Sequence, residues 1–332
     1  RELERKSRCT LRRNVQSLVG RAKARAAVRS HAFALSVDDI LDTLWIQEGR
    51  CYYSGVHLEC LRPNSDWRMS CERLNNYEGY TNNNVVLIAN EFNTPDYSRN
   101  KNVIGDVCGT AQWSIVKVKA VQELRAQNVD MAMLASLIKD ARGGDRRYGP
   151  PRPAIRVPNA ANEWKCSRCH SYKDASEFYA NRNARNHISS MCKKCSREYH
   201  FNYYLTLRGK MKRLISDARK NAARRGRSCT LSLDFLLDLL WAQRGRCYYS
   251  GVPMEYLRPH SHWRMSLERL DNSQGYTENN CVLVAAEFNS SDHSQYAKYE
   301  VFGTAQWSKT KVEYIWGLNV HDLDHHLTIP SK

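Results

Sequence analysis

A stretch of fifty residues occurs twice in this chain. Residues 44–93 read LWIQEGRCYYSGVHLECLRPNSDWRMSCERLNNYEGYTNNNVVLIANEFN, and residues 240–289 read LWAQRGRCYYSGVPMEYLRPHSHWRMSLERLDNSQGYTENNCVLVAAEFN. The copies align without a gap at an offset of 196 residues, and 35 of the 50 positions are identical. Self-similarity of this kind constrains the fold before any other reading is attempted. The period is far too long for a solenoid, so it implies two copies of a whole folding unit. A length of 332 residues fits two or three domains.

Each copy follows the same kind of lead-in. Over residues 8–29, Leu11, Val15, Leu18, Val19, Ala22 and Ala26 recur every three or four positions, which predicts a helix with one apolar face. Arg8, Arg12, Arg13, Arg21, Lys23, Arg25 and Arg29 occupy much of the rest, and no acid offsets them. The second copy repeats the charge through Arg208, Lys210, Lys212, Arg213, Arg219, Lys220, Arg224, Arg225 and Arg227, with Asp217 as the single acid. Either these are solvated helix faces or they contact phosphates. The net charge of +17 favours an anionic partner, either nucleic acid (DNA or RNA) or an anionic membrane. No apolar run approaches the roughly 18 residues of a membrane span, so no membrane partner is expected.

Ser36 and Asp39 have the spacing of a capping box, opening a helix with Ile40, Leu41, Leu44 and Trp45 on its apolar face; Ser232 and Leu236, Leu237, Leu240 and Trp241 repeat it. All of these apolar positions are expected in the core. Gly49 and Gly55, like Gly245 and Gly251, bracket a tight Cys-Tyr-Tyr-Ser turn. Residues 67–74 and 263–270 read as a strand, and 85–88 and 282–284 as a second, shorter one. The following Glu-Phe-Asn suits the start of a helix. GTAQWS, at 109–114 and again at 303–308, is expected to open a helix packing through Trp113 or Trp307.

Cys166-x2-Cys169 and Cys192-x2-Cys195 stand 22 residues apart. Two thiolate pairs of this spacing supply the four soft ligands that tetrahedral zinc prefers, and a filled set leaves no open catalytic position. The other cysteines are scattered. That pattern fits structural zinc in a reducing compartment better than a disulfide scaffold. The expected organisation is a first basic helix and unit over 1–128, a linker over 129–160 (Gly, Pro and Arg crowd 141–162), a four-cysteine zinc finger over 161–200, and a second basic helix and unit over 201–332. Arg1-Glu2 aligns with Arg197-Glu198, the residues just after Cys195, so a first finger is expected upstream of Arg1.

The fifty-residue unit resembles the HNH endonucleases of the ββα-metal fold. The resemblance rests on Gly-Arg-Cys-Tyr-Tyr-Ser-Gly, on Ser-Leu-Glu-Arg-Leu-Asp-Asn with Gly-Tyr-Thr after it, on Asn-Asn-Cys-Val-Leu-Val and on the final Glu-Phe-Asn. A finger followed by a basic helix is similar to phage and mobile-element members. The implied fold class is α+β, with two ββα-metal units, flanking basic helices and a small zinc finger. The implied chemistry is magnesium-dependent phosphodiester hydrolysis. Glu72 and Glu268 take the metal-binding acid's position, Asn93 and Asn289 complete the metal site, and Asn84 and Asn280 hold the loop. Each glutamate could equally be salt-bridged to the arginine beside it at the surface.

This chain departs from the family pattern where the general base belongs, with Arg73 in one copy and Arg269 in the other. Arginine stays protonated and cannot take a proton from water, although it could clamp a phosphate. His57 and His262 are the nearby alternatives as base, and neither is repeated. The zinc knuckles that many members carry inside this fold are absent too, so Cys51 and Cys247 read as small buried hydrophobes. The resemblance therefore supports two functions. One is a homing-type DNA endonuclease. The other is a degenerate HNH-fold protein that binds RNA as a structural subunit of a ribonucleoprotein, such as an organellar ribosome. Phosphate contacts are expected from Arg12, Arg13, Arg21, Arg25, Arg213, Arg219, Lys220, Arg224 and Arg225. The expected location is intracellular, in the nucleus or an organelle.

Overall fold

A computed structural model describes residues 10–61, 65–75, 77–93, 113–143, 156–258, 261–289 and 307–318. It is a mixed helical protein with small antiparallel sheets, an α+β architecture. The expected upstream finger, most of each GTAQWS motif and the residues just after Asn93 and Asn289 lie outside the described residues.

The first unit begins with α1 (Leu11–Val28), which buries Val15, Leu18, Ala22 and Ala26, the stripe read from its periodicity. Helix α2 (Val37–Ile46) opens on a reciprocal cap: Asp39 N–H donates to Ser36 Oγ at 3.1 Å, and Ser36 N–H donates to Asp39 Oδ2 at 2.7 Å. Strands β1 (Met69–Arg73) and β2 (Val85–Ala89) form a hairpin in which Met69 faces Ala89 and Arg73 faces Val85. The second unit repeats this with α6 (Leu207–Arg224), α7 (Leu233–Ala242), β7 (Met265–Arg269) and β8 (Cys281–Ala285), and Met265 again faces Ala285. Between the units lie α3 (Ile115–Ala126) and α4 (Met131–Gly143). The finger follows, with β3 (Trp164–Lys165) paired to β4 (Tyr172–Lys173), β5 (Phe178–Ala180) paired to β6 (Ile188–Cys192), and α5 (Lys193–Tyr204). The last described helix is α8 (Lys309–Trp316).

Details shared by both copies explain why the repeat is so strict. Gln47 docks its amide on β2, donating to the Leu87 carbonyl at 2.7 Å and accepting from Leu87 N–H at 2.9 Å; Gln243 does the same to Leu283. Tyr52 N–H and Tyr248 N–H then bond Leu87 and Leu283, so the Cys-Tyr-Tyr-Ser turn covers the outer edge of the hairpin. Gly79 and Gly275 are required by close approach, since a Cβ there would collide with the carbonyls of Ala32 and Ser228. Cys51 and Cys247 are both buried.

The hairpin does not run straight into a helix. Asn90–Phe92 and Ala286–Phe288 each form a single 3-10 turn. The next described helices begin at Ile115 and Lys309, each opened by a serine, Ser114 or Ser308, that accepts a backbone N–H three residues on. These helices are exchanged. Lys117 on α3 pairs with Glu287 of the second unit at 3.1 Å, and Lys311 on α8 pairs with Glu91 of the first at 3.2 Å. Between them lies one aromatic cluster. Trp113 meets Phe288 at 5.3 Å and Phe92 at 5.7 Å, and Trp307 meets both phenylalanines at 5.5 Å. The two halves thus share a pseudo-twofold core, which makes them one folded body.

Two expectations are revised by this packing. The stretch read as linker, 129–160, contains α4, whose Leu134, Ile138 and Ala141 are buried at helical spacing. Leu134 and Val129 pack on Gly245 and Arg142 pairs with Asp238, so α4 belongs to the second unit's surface. Trp45 and Trp241, expected in the core, are 86% and 46% exposed. Each sits in the last turn of its helix.

Candidate nucleic-acid interface and metal centre

Four thiols define the first site. Cys166 and Cys169 lie on the turn after β3, Cys192 ends β6 as the N-cap of α5, and Cys195 lies in its first turn. Their sulfur atoms all fall within 4.8 Å of one another, and all four are free thiols. Burial raises the Cys166 pKa, but backbone N–H groups of Cys192, Cys169 and Arg168 outweigh it and bring the thiol down to about 6. Cys195 goes the other way, pushed up to about 12 chiefly by burial. Three of the four are buried, in a small core with Phe178, Trp164 and Met191. This donor set could hold a metal ion, and among common ions it suits a soft, tetrahedral one.

The second site is a cleft of about 320 Å³ in the second unit. Glu268, Arg269 and Asn289 line it together with Ser266 and Tyr276, and Asp217, Asn221 and Arg225 of α6 form the facing wall. The hairpin and the basic helix therefore bring together residues that stand 41 to 72 positions apart in sequence. Glu268 is 2% exposed, and Tyr249 is near enough for the carboxylate to add to the effect of burial in raising that phenol's pKa. Asn289 donates its amide N–H to Ser266 Oγ at 2.8 Å and to the Leu267 carbonyl at 3.0 Å. Asn93 makes the same bonds to Ser70 and Cys71, both at 2.9 Å. The amide nitrogen is thus committed to the strand, and the carbonyl oxygen is the atom that could ligate a cation beside Glu268.

The arginines at the base position brace a loop. Arg269 donates to the Gln274 carbonyl at 2.6 Å and the Asn272 carbonyl at 3.2 Å, with its guanidinium 5.0 Å from the Tyr276 ring centre. Arg73 donates to the Glu78 carbonyl and to His31 Nδ1, both at 2.7 Å, and lies 5.0 Å from Tyr80. Both are 2% exposed. The loop they brace is also closed by Asn84 and Asn280. Asn280 accepts from Asp271 N–H at 2.7 Å and donates to the Asp271 and Gly275 carbonyls, both at 2.9 Å. Replacing Asn280 with alanine should strand these groups and cost about 1–3 kcal/mol, read as a lower melting temperature with faster amide exchange in 271–275.

The remaining candidates are placed as follows. Arg12, Arg13, Arg21 and Arg25 are exposed on α1, and Arg213, Arg219, Lys220 and Arg224 on α6, with Arg225 at its C-cap. In the first unit Arg21 and Arg25 occupy the places of Asp217 and Asn221. They lie close enough to Cys71, beside Glu72, to temper the burial that pushes its thiol up to about 11. This part of the first unit is accordingly the more positive. His262 bonds Glu287 at 2.9 Å and is outside the cleft lining; His57 is exposed. Sequence reasoning missed the Lys117–Glu287 and Lys311–Glu91 pairs. Their signal was available, because both lysines and both glutamates recur in the repeat, at offsets of 194 and 196.

Compared with family models, curated proteins and solved structures, the chain matches none. The HNH resemblance therefore stands on the residues quoted above. Among the described residues, no helix is long and apolar enough to cross a membrane.

Proposed function

We propose that this protein binds nucleic acid through two HNH-type units, that structural zinc holds the intervening finger, and that the phosphodiesterase centre is weakened or lost. The observation that carries the reading is the second-unit cleft, in which Glu268 and Asn289 face a basic helix. Glu268 and Asn289 would hold a divalent cation such as magnesium there, with Glu72 and Asn93 as their counterparts. Such an ion would stabilise the leaving oxygen of a phosphodiester. The exposed cations of α1 and α6 would track the backbone on either side, and Arg269 would offer phosphate any donor its loop bonds leave. Zinc at Cys166, Cys169, Cys192 and Cys195 has all four positions filled and serves folding alone.

No histidine lines the cleft, and Asp217, the carboxylate there besides Glu268 that could take a proton, lies beside Arg213 and Lys220. Arg269 cannot serve, and a positioned base contributes about 10²–10⁴-fold. In the first unit Arg21 and Arg25 stand at the positions of Asp217 and Asn221, close to Cys71, and their charge would oppose a cation beside Glu72. These features favour binding over cleavage, as in a structural subunit of a ribonucleoprotein within the nucleus or an organelle. A plasmid-nicking assay with magnesium or manganese tests the point. Slow or absent nicking is expected. Any nicking that is seen should vanish in the Glu72→Gln, Glu268→Gln double variant while binding persists. Robust nicking by the wild type would overturn the weakened-centre reading.

A further inference from the structure

The finger and α5 carry exposed aromatic rings that the local core does not use. On α5, Tyr199, Phe201 and Tyr204 are 43%, 58% and 40% exposed. The rings of Tyr199, His200 and Tyr204 form a ladder along the helix, with Phe201 exposed beside them in sequence. Tyr199 meets His200 at 5.6 Å, and His200 stacks on Tyr204 at 6.4 Å with 28° between the planes. Arg213, one of the basic residues of α6, sits 5.6 Å from the Tyr204 ring centre. The finger itself repeats the pairing of ring and cation: Lys193 lies 5.9 Å from Tyr179, and Lys165 lies 5.9 Å from Tyr172.

Leaving several rings in water is costly unless a ligand covers them. The cations select the ligand. A ring beside a lysine or arginine presents a flat apolar face within reach of a phosphate contact, which is the chemistry that takes up unpaired bases. Bases inside a duplex are already stacked on one another and have no face to give. We infer that α5 and the finger form a stacking platform for single-stranded nucleic acid, running into the phosphate-contacting face of α6 through Arg213. This inference rests on the proposed nucleic-acid binding and adds a site and a strand state to it.

The test is a comparison of affinities, by fluorescence anisotropy, for oligothymidylate, oligouridylate and a mixed-sequence duplex. Wild type is expected to bind at least one of the single strands. The Tyr199→Ala, Phe201→Ala, Tyr204→Ala triple variant should weaken that binding by roughly 10²-fold or more, on the scale of stacking losses per base. Its duplex affinity should barely change, and Tyr199→Phe with Tyr204→Phe should retain single-strand affinity. The two oligonucleotides separate DNA from RNA as the source. Should the triple variant fold poorly, ultraviolet cross-linking of bromouridine-substituted oligonucleotide to wild type should map to residues 172–204. Duplex binding with single strands bound no better in wild type than in the variant, or cross-links confined to α1, would overturn the platform and leave the general reading standing. No binding to any of the three would overturn both.

Discussion

Removing the metal from the finger is expected to unfold residues 156–204. The reason is that little else holds them. Their core consists of the cysteine cluster with Phe178, Trp164, Ile188 and Met191, and each of their hairpins pairs only a few residues. In modules of this size, binding of structural zinc and folding are one process, with apparent binding energies of about 10–16 kcal/mol. Chelation, or Cys169→Ser, should abolish the amide protection of β3 to β6 and release one equivalent of zinc to a colorimetric indicator. Reducing agent alone should do nothing, because the described cysteines are free thiols. The two repeated units should keep their protection, since their shared core contains no finger residue. A finger that stayed folded without metal, or that contained none when purified without chelator, would refute the assignment.

The second large effect is expected at the exchanged helices. Trp307 is 1% exposed and touches both phenylalanines. Truncation to alanine should cost about 3–5 kcal/mol, from lost burial and the cavity left behind. The consequence is distinctive, because the ring lies between the units. Denaturant unfolding should remain one transition shifted to lower midpoint, and amide protection should fall in β1–β2 and in β7–β8 alike. The buried ion pairs give a sharper version. Lys311→Met removes the cation shared by Asp66 and the buried Glu91 carboxylate and should cost about 3–5 kcal/mol, whereas adding Glu91→Leu should recover most of the loss. Independent units would instead give two transitions, with only one of them moved.

The parts legible in the sequence are those set by local pattern. The stripe on α1, the serine caps of α2 and α7, the hairpins and the two cysteine pairs all depend on neighbours within a few residues. The parts that were not legible depend on partners far along the chain. Helix α4 carries a clear stripe of Leu134, Ile138 and Ala141, but it adjoins a Gly- and Pro-rich segment and lacks a repeat partner to mark it. Trp45 and Trp241 follow the helical period, yet they stay 86% and 46% exposed in the last turns of their helices. Glu91 and Glu287 look like helix-opening acids until the exchange places a lysine from the other half against each. Arg73 and Arg269 are the instructive pair. Motif position alone suggested a phosphate clamp, while the geometry spends their donors on a loop. Both copies share this, so a single ancestor that already carried arginine before duplication explains it more simply than two separate substitutions.

The proposed function turns on whether this protein binds nucleic acid electrostatically through α1 and α6, and a salt titration of binding asks that directly. Each phosphate neutralised releases counterions, giving a log–log slope of about −0.9 per duplex contact. Wild type should therefore lose affinity steeply as salt rises. The variant with Arg219, Lys220, Arg224 and Arg225 changed to alanine should have a slope shallower by up to about 3–4. No measurable binding, or an identical slope in the variant, would contradict the reading and return these cations to the role of a solvated helix face.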